Sequence, residues 1–196
     1  MIAISVIVNE QAGYKSALNG LSFNKKMNPE QMHLAALKLG PQDGGHNKFL
    51  ESIMVWLDVR APRYLWQEMD TYRISTKQSE STMHTLVNEL ARLDESVVNR
   101  QLYVDTNFEN GCHIDVLDSM INHAICGSSE ALIAIKGMLP EGFLQRRMWC
   151  MSFKTLRNLI NQRRNHRLPH WQLFIRSVVK QLDHPEYLGV KDVETI

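Results

Sequence analysis

Residues 53–81 of the chain read IMVWLDVRAPRYLWQEMDTYRISTKQSES. The first seven of them are rich in β-branched and aromatic residues, which predicts a strand over 53–59. Ala61-Pro62 predicts the start of a helix, since apolar residues then recur about one turn apart. These apolar positions are Leu65, Met69 and Tyr72. Residues 71–81 have no helical apolar period, and they predict an irregular polar connection.

The segments on either side add mostly helices. Residues 2–8 alternate and predict a strand, and Asn28-Pro29 predicts a helix that Gly40 ends. A further helix is predicted around Met83, Leu86, Val87 and Leu90. Two more are predicted within 114–138, with a break near Gly127-Ser128-Ser129, and another over 153–163. The last predicted helix has an apolar face made of Trp171, Phe174, Ile175, Val178, Val179 and Leu182. Residues 95–113 favour no element. About six helices and two or three strands predict a helix-rich α+β fold with a small antiparallel sheet.

The composition predicts one globular domain over residues 1–196. The hydrophobic fraction of 44% and the charged fraction of 22% are ordinary, and the net charge of +1 excludes a polyanion binder that relies on the charge of the whole chain. The three cysteines, Cys112, Cys126 and Cys150, have no metal-binding spacing. Their odd number predicts reduced thiols in a cytoplasmic protein. The first segment becomes polar too early for a signal or a membrane span.

Three polar clusters exceed what folding requires. They are Gly44-Gly45-His46 with Glu51, the stretch from Glu68 to Ser81, and Lys136 with Lys154, Asn158 and Arg163. Hydroxyls, amides and cations at this density suit a phosphate group. The alternatives are a solvated loop, exposed helix cations and a loop histidine without a role. The basic run Gln162–Arg167 is also a short candidate patch for nucleic acid.

The common nucleotide-binding and hydrolase motifs are absent from the sequence. It contains no GxGxxG, GxxxxGK[ST], HExxH or GxSxG. Spacing alone therefore predicts a small α+β domain with a possible anion site.

The register of residues 59–81 adds a family resemblance. Val59-Arg60-Ala61-Pro62 ends the predicted strand, and Thr71-Tyr72-Arg73 is followed by seven residues and then Ser81. The flavin-dependent thymidylate synthases have a strand that ends in V-x-A-P. They then have the signature Arg-His-Arg, seven residues and Ser. The chain resembles this pattern, with the third arginine and the serine kept.

Two further blocks extend the resemblance in the same order. Upstream, His46 and Glu51 keep the family's spacing of five, and Ser22-Phe23-Asn24 resembles its Ser-Phe-Asp/Asn. Downstream, Lys136 precedes Leu139-Pro140, and Trp149 follows. Residues 152–163, SFKTLRNLINQR, resemble the family's helix N-x-R-x-L-x-N-F-L-x-x-R. Together the blocks span nearly the whole chain.

The resemblance implies a homotetramer with active sites at subunit interfaces, where FAD lies against the signature loop and dUMP stacks on the flavin. It assigns FAD contacts to Ser22, His46, Glu51, Tyr72, Arg73, Gln78, Lys154 and Asn158. It assigns nucleotide contacts to Glu68, Ser81, Lys136 and Arg163, of which Ser81 and Arg163 are the expected catalytic residues. NADPH and methylenetetrahydrofolate are the implied co-substrates. No metal, nucleic acid or membrane is expected.

Several positions depart from the family pattern. Thr71 and Tyr72 replace an arginine and a histidine, Ser79 replaces a glutamate, and Met83 replaces an arginine. Glu68 stands for a glutamine, while Lys136 and Lys154 stand for arginines and lose the bidentate fork. Lys77 and Arg63 are candidates to replace the contacts that these departures remove. The departures leave two alternatives open: an enzyme that hydroxymethylates C5 of another pyrimidine nucleotide, and a non-catalytic protein that binds flavin or nucleotide.

Overall fold

One four-stranded antiparallel sheet organises the protein. The computed structural model describes residues 3–81, 85–92, 112–126 and 130–189, without the side chains of 112–114. The strands are β1 (Ser5–Ala12), β2 (Met54–Pro62), β3 (Ser75–Ser79) and β4 (Leu144–Ser152). Their spatial order is β1-β2-β4-β3. The predicted helix-rich α+β class with a small antiparallel sheet is confirmed.

Eight α-helices occur within the described residues. They are α1 (Tyr14–Leu21), α2 (Pro29–Leu39), α3 (Arg63–Met69), α4 (Leu86–Ala91), α5 (Cys112–Cys126), α6 (Ala131–Met138), α7 (Phe153–Arg163) and α8 (Pro169–Val179). Short 3₁₀ helices cover Lys48–Glu51 and Pro185–Leu188. No helix in these ranges is long and apolar enough to cross a membrane. The thiols of Cys126 and Cys150 are free.

Local capping explains where two of these helices begin. The Asn28 side chain accepts from the Gln31 backbone N–H at 2.9 Å, and the Gln31 side chain accepts from the Asn28 N–H at 3.0 Å. This reciprocal capping box starts α2 with Pro29 in its first turn, as predicted. Ser152 caps α7 by accepting from the Thr155 N–H at 3.2 Å.

The chain folds into two compact units that interleave along the sequence. The first contains Met1–Ile4, Arg60–Thr71 and Gln78–Arg147, and the second contains Ser5–Val59, Tyr72–Lys77 and Met148–Ile196. The core of the first unit joins α4, α5 and α6. Its buried members are Leu86, Leu90, Leu117, Met120, Ile121, Ala124, Ala131, Ile135 and Phe143. A single domain over residues 1–196 stays a prediction.

The second unit has an aromatic core. Trp149, Trp171, Phe174, Phe153 and Tyr187 are all fully buried. Trp171 and Phe174 meet edge to face at 5.9 Å between ring centroids, a favourable geometry for aromatic pairs. These rings come from β4, α7, α8 and the 3₁₀ helix Pro185–Leu188, which therefore share one core.

Some predicted boundaries were wrong. β2 runs through Ala61-Pro62, so that the helix begins only at Arg63, and the last helix ends at Val179 rather than Leu182. The irregular connection predicted over 71–81 contains β3. This strand lies at the edge of the sheet, where main-chain bonds such as Glu80 N–H to the Arg146 carbonyl (3.0 Å) stabilise a polar sequence.

Besides β3 and the two 3₁₀ helices, two further elements were not predicted. The strand β4 carries Arg146 and Arg147 among its apolar residues, which hid its alternation. The helix α1 is short and contains Asn19 and Gly20, both poor helix formers. The helices predicted within 114–138 and over 153–163 are confirmed as α5, α6 and α7. Met83 and most of 95–113 lie outside the described residues.

Candidate functional site

The exposed end of α7 begins a relay of hydrogen bonds in the second unit. Arg163 Nε donates to the Tyr72 hydroxyl at 2.9 Å, and that hydroxyl donates to Gln162 Oε1 at 3.1 Å. Gln162 Nε2 in turn donates to Asn158 Oδ1 at 3.2 Å. Three of the predicted site residues are therefore linked, and each link has a defined donor and acceptor.

Aromatic rings surround the cation in this relay. The Arg163 guanidinium lies 4.9 Å from the Trp171 ring centroid and 5.7 Å from that of Tyr72. Tyr72 is 8% exposed and contacts Trp171 and Trp149, with centroids 6.1 Å and 6.5 Å away. Cation–π attraction and the bond to Tyr72 both restrict the guanidinium. Arg163 is thus a positioned cation at the end of a helix.

The first turn of α7 carries a second charged pair. Lys154 Nζ lies 3.1 Å from Glu51 Oε1, which follows the loop after α2. The side chains are 35% and 60% exposed, so the pair contributes at most about 1 kcal/mol to folding. Glu51 and Lys154, both predicted to contact FAD, are brought together.

The middle of α7 holds the glycine loop that follows α2. Arg157 donates to Asp43 Oδ1 at 2.7 Å and to the Pro41 carbonyl oxygen, and its side chain is only 13% exposed. Gly44 and Gly45 have φ of 69° and 90°, which residues with a Cβ rarely adopt. His46 follows them and is exposed. The loop is therefore fixed at one end and shaped by its glycines.

The signature loop is ordered by its own polar groups. Ser75 Oγ donates to the Tyr72 carbonyl at 2.6 Å, and Lys77 Nζ donates to the same carbonyl at 3.3 Å. Lys77 also lies 4.9 Å from the Trp149 ring centroid. Arg73 is exposed between these anchors. Lys77, a candidate to compensate for lost signature residues, thus contacts the protein itself and stabilises the loop.

The other predicted residues differ in exposure. In the second unit, the Ser22 hydroxyl donates to the Asn19 carbonyl at 2.7 Å. In the first unit, Glu68 is half-buried at the end of α3, whereas Gln78, Ser81 and Lys136 are exposed. Arg63, the second candidate to compensate, donates to the Leu139 carbonyl at 2.8 Å and lies 3.7 Å from Glu141.

The first unit also contains a small pocket that is partly open to solvent, with a cavity volume of about 20 Å³. Arg60, Glu80 and Glu89 supply its charged lining. Burial raises the pKa of Glu89, and the neighbouring Glu80 raises it further by charge and by a hydrogen bond. Arg60 and Arg92 act in the opposite direction. The sequence did not predict this pair, because Glu80 and Glu89 lie in different elements.

Two residues to which the sequence assigned no FAD or nucleotide contact complete the α7 surface. Gln162 and Arg157 link predicted residues to one another or to the glycine loop. Gln162 follows Asn158 by four positions, which placed both on one helical face, but it was assigned to a basic run instead. Gln162 and Arg163, the first two residues of the basic run Gln162–Arg167, thus form hydrogen bonds within the protein.

The fold is similar to that of known structures, whereas comparison of the sequence alone finds no match. No protein-family model and no curated protein sequence matches the chain. Its structure is similar to thymidylate synthase X (ThyX) of Helicobacter pylori crystallised with FAD and dUMP, at a TM-score of 0.74 and 18% identity over 94% of this chain and 96% of that one. A second structure of the H. pylori enzyme, complexed with FAD and dUMP, gives 0.72 and 17% over 94% and 97%. The resemblance seen in the sequence is confirmed at the level of the fold.

Proposed function

We propose that the chain is a flavin-dependent thymidylate synthase-like enzyme that binds FAD and a pyrimidine nucleotide. One observation carries the proposal: the fold similarity covers 94% of the chain, and the same chain keeps Arg73 and Ser81 at the signature spacing. A helix-rich fold alone would not select a ligand. The kept residues add a cation and a hydroxyl of the type that binds phosphate.

The donor set of the second unit fits FAD. Its diphosphate needs cations and short donors, and Arg73, Lys154 and Asn158 are of these types. Ser22 is also a proposed contact, although its hydroxyl donates to the Asn19 carbonyl in this structure. Arg73 is exposed and Lys154 is partly so, which leaves both accessible to a ligand. His46 is proposed as a further contact in this unit, and Glu51 as the group that orients Lys154. Gln78, in the first unit, remains a contact that the resemblance implies.

Tyr72 has a different proposed role. Its hydroxyl already accepts from Arg163 and donates to Gln162, and little of its surface is accessible. We therefore assign it to positioning Arg163 rather than to direct hydrogen bonding with FAD. This replaces the family's histidine with a group that cannot carry a positive charge.

In the second unit the nucleotide is proposed to contact Arg163, and in the first unit Ser81, Lys136 and Glu68 remain the contacts that the resemblance implies. Arg163 supplies a charge whose orientation is restricted by Trp171 and Tyr72, and such preorganisation favours binding of an anion. Ser81 would donate to a nucleotide oxygen, and Lys136 would add a point charge. The protein's contribution to catalysis is to orient and polarise the nucleotide, which requires no enzyme nucleophile.

When bound, reduced FAD supplies the chemistry for moving a one-carbon unit from methylenetetrahydrofolate to C5 of dUMP, with NADPH as reductant. A cytoplasmic homotetramer with shared active sites is part of the same proposal.

One observation favours a second candidate, an enzyme that acts at C5 of a different pyrimidine nucleotide. Thr71 and Tyr72 remove two cationic signature residues, and Tyr72 takes the Nε donor of Arg163. Fewer donors are then available to a nucleotide than in the family signature, and each charge-assisted bond is worth about 1.5–3 kcal/mol. A changed donor pattern is a physical basis for changed base or phosphate selectivity.

Growth of a thymidine-requiring host tests the activity. Expression of the chain should remove the thymidine requirement of cells that lack their own synthase, and Arg163→Ala should abolish the rescue. Arg164→Ala changes an exposed arginine one position away and serves as the matched control. Good expression of folded wild-type protein without rescue would contradict the thymidylate synthase and leave the second candidate or the non-catalytic alternative.

A further inference from the structure

Two histidines and a glutamate meet in the second unit, and none of the three is among the residues assigned to FAD or nucleotide. His33 lies midway along α2, and His184 and Glu186 lie at the start of the 3₁₀ helix Pro185–Leu188. Potential ligand atoms of the three side chains all lie within 4.8 Å of one another. Among the residues that the structure describes, no other group of three metal-binding side chains is this close.

The distances suit a small divalent ion. His184 Nδ1 and Glu186 Oε1 are 2.9 Å apart. A tetrahedral zinc ion with ligands at about 2.0–2.1 Å separates neighbouring ligand atoms by about 3.3 Å, so a small opening of this pair admits the ion. His184 and Glu186 are each 39% exposed, which provides an entry path.

A neighbouring tyrosine orients the first histidine. The Tyr187 hydroxyl lies 2.6 Å from His33 Nδ1, and we therefore assign His33 Nε2 to the ion. The Tyr187 ring also stacks on His184, with centroids 4.9 Å apart and an interplanar angle of 18°. Metal-binding histidines usually have their second nitrogen held in this way.

The backbone fixes the two elements against each other. A Cβ at Gly40 would lie 2.0 Å from the Tyr187 carbonyl oxygen, and a Cβ at Gly189 would lie 2.8 Å from Pro41 side-chain atoms. Only glycine permits this close approach. The ends of α2 and of the 3₁₀ helix therefore hold His33 near His184 and Glu186 before any ion binds.

We propose that His33, His184 and Glu186 bind one divalent ion of the Zn²⁺ type, with Tyr187 orienting His33. Two imidazoles and one carboxylate are a known three-ligand zinc set, and water completes the coordination. The ion would connect the 3₁₀ helix to α2 and so stabilise the second unit. None of these four residues is a proposed contact of FAD or nucleotide.

Metal titration of the full chain tests the proposal. The protein is stripped with a chelator and dialysed, Co²⁺ binding is followed by its ligand-field absorption, and Zn²⁺ is measured by competition with a chromophoric chelator. One ion per chain is expected. His33→Ala and His184→Ala should each lower the affinity by more than about 100-fold, because ligand loss costs more than the 10–100-fold typical of an outer partner. Tyr187→Phe, which removes such a partner, should fall in that range.

Two control variants distinguish loss of the ion from loss of the fold. His123 is exposed and its Nδ1 lies 2.9 Å from the Ser119 carbonyl, so His123→Ala removes a surface histidine outside the site. It should bind the ion as wild type does. Glu186→Gln preserves shape at an accessible position and should fold even if the histidine variants do not. Wild-type affinity in Glu186→Gln, or no binding by wild type beyond that of His33→Ala, would overturn the proposal.

Discussion

Arg163 and Tyr72 are joined by a 2.9 Å hydrogen bond between Nε and the phenol hydroxyl, at the point where the chain departs from the family signature. The same hydroxyl donates to Gln162, so Tyr72 is a link between a cation and an amide rather than an isolated core residue. Orientation of the proposed nucleotide-binding cation thus depends on a residue that the family does not have.

Removal of that hydroxyl should loosen Arg163 without disturbing the core. In Tyr72→Phe the ring keeps its contacts with Trp171 and Trp149, while the bonds to Arg163 and Gln162 are lost. We expect the free energy of unfolding to fall by about 0.5–1.5 kcal/mol, because Arg163 and Gln162 lose their hydrogen bonds to the hydroxyl. Nucleotide affinity should fall as well, and calorimetric titration measures it. A Tyr72→Phe protein with wild-type stability and affinity would contradict the positioning role.

Lys154 and Glu51 should affect the ligand more than the fold. Their pair is exposed, so Glu51→Gln should change the free energy of unfolding by less than about 1 kcal/mol. Lys154→Ala should weaken FAD binding, because it removes a proposed contact with the cofactor. Lys180→Ala, at an exposed position just after α8, is the control. Flavin fluorescence quenching gives the affinities, and equal FAD affinity in Lys154→Ala and wild type would refute the assignment.

The glycine loop should depend on Arg157. Arg157→Lys keeps the charge but loses the fork that reaches both Asp43 and the Pro41 carbonyl. The expected loss of unfolding free energy is about 1–3 kcal/mol, because the side chain is largely buried and bonded to a charged group. Arg164→Lys, at an exposed position, should stay within about 0.5 kcal/mol of wild type. Urea denaturation compares the two, and equal losses would show that the Arg157 bonds do not hold the loop.

Stability should depend on pH through Glu89. Folding raises the pKa of Glu89, chiefly by burial and then by Glu80, so the folded state binds this proton more tightly than the unfolded state does. The stabilisation is complete below the unfolded pKa of about 4.3 and is lost as the pH rises through the folded value. Arg60 and Arg92 limit the effect.

Glu89→Gln is therefore expected to raise the melting temperature at pH 7 and to flatten its decline between pH 4 and 7. Glu10→Gln, on an exposed part of β1, provides the comparison. A lower melting temperature at pH 7 in Glu89→Gln would show that ionised Glu89 is stabilising instead.

The sequence predicted the parts of this protein that depend on local patterns. Asn28-Pro29 and the apolar period of 153–163 defined α2 and α7, because capping and helical periodicity act over a few residues. β3 was missed since an edge strand needs no apolar face, and β4 because its arginines are paired elsewhere: Arg147 bonds Asp70 at 3.0 Å and covers the Trp66 ring at 4.5 Å.

The site was predicted only as a set of residues. Family spacing named Arg163, Tyr72 and Asn158, but the relay through Gln162 depends on the orientation of side chains that are 90 positions apart in sequence. The meeting of His33 with His184 and Glu186 likewise comes from tertiary structure, since nothing in their spacing resembles a metal motif.

The central claim is tested most directly by the absorbance spectrum of the FAD-loaded protein during titration with dUMP, and in parallel with dCMP. We expect bound-flavin bands that shift with dUMP. FAD binding should be weakened in Arg73→Ala and unchanged in Arg164→Ala. A shift with dCMP alone would favour the enzyme for another pyrimidine nucleotide. A protein that takes up no added FAD would contradict the proposed function.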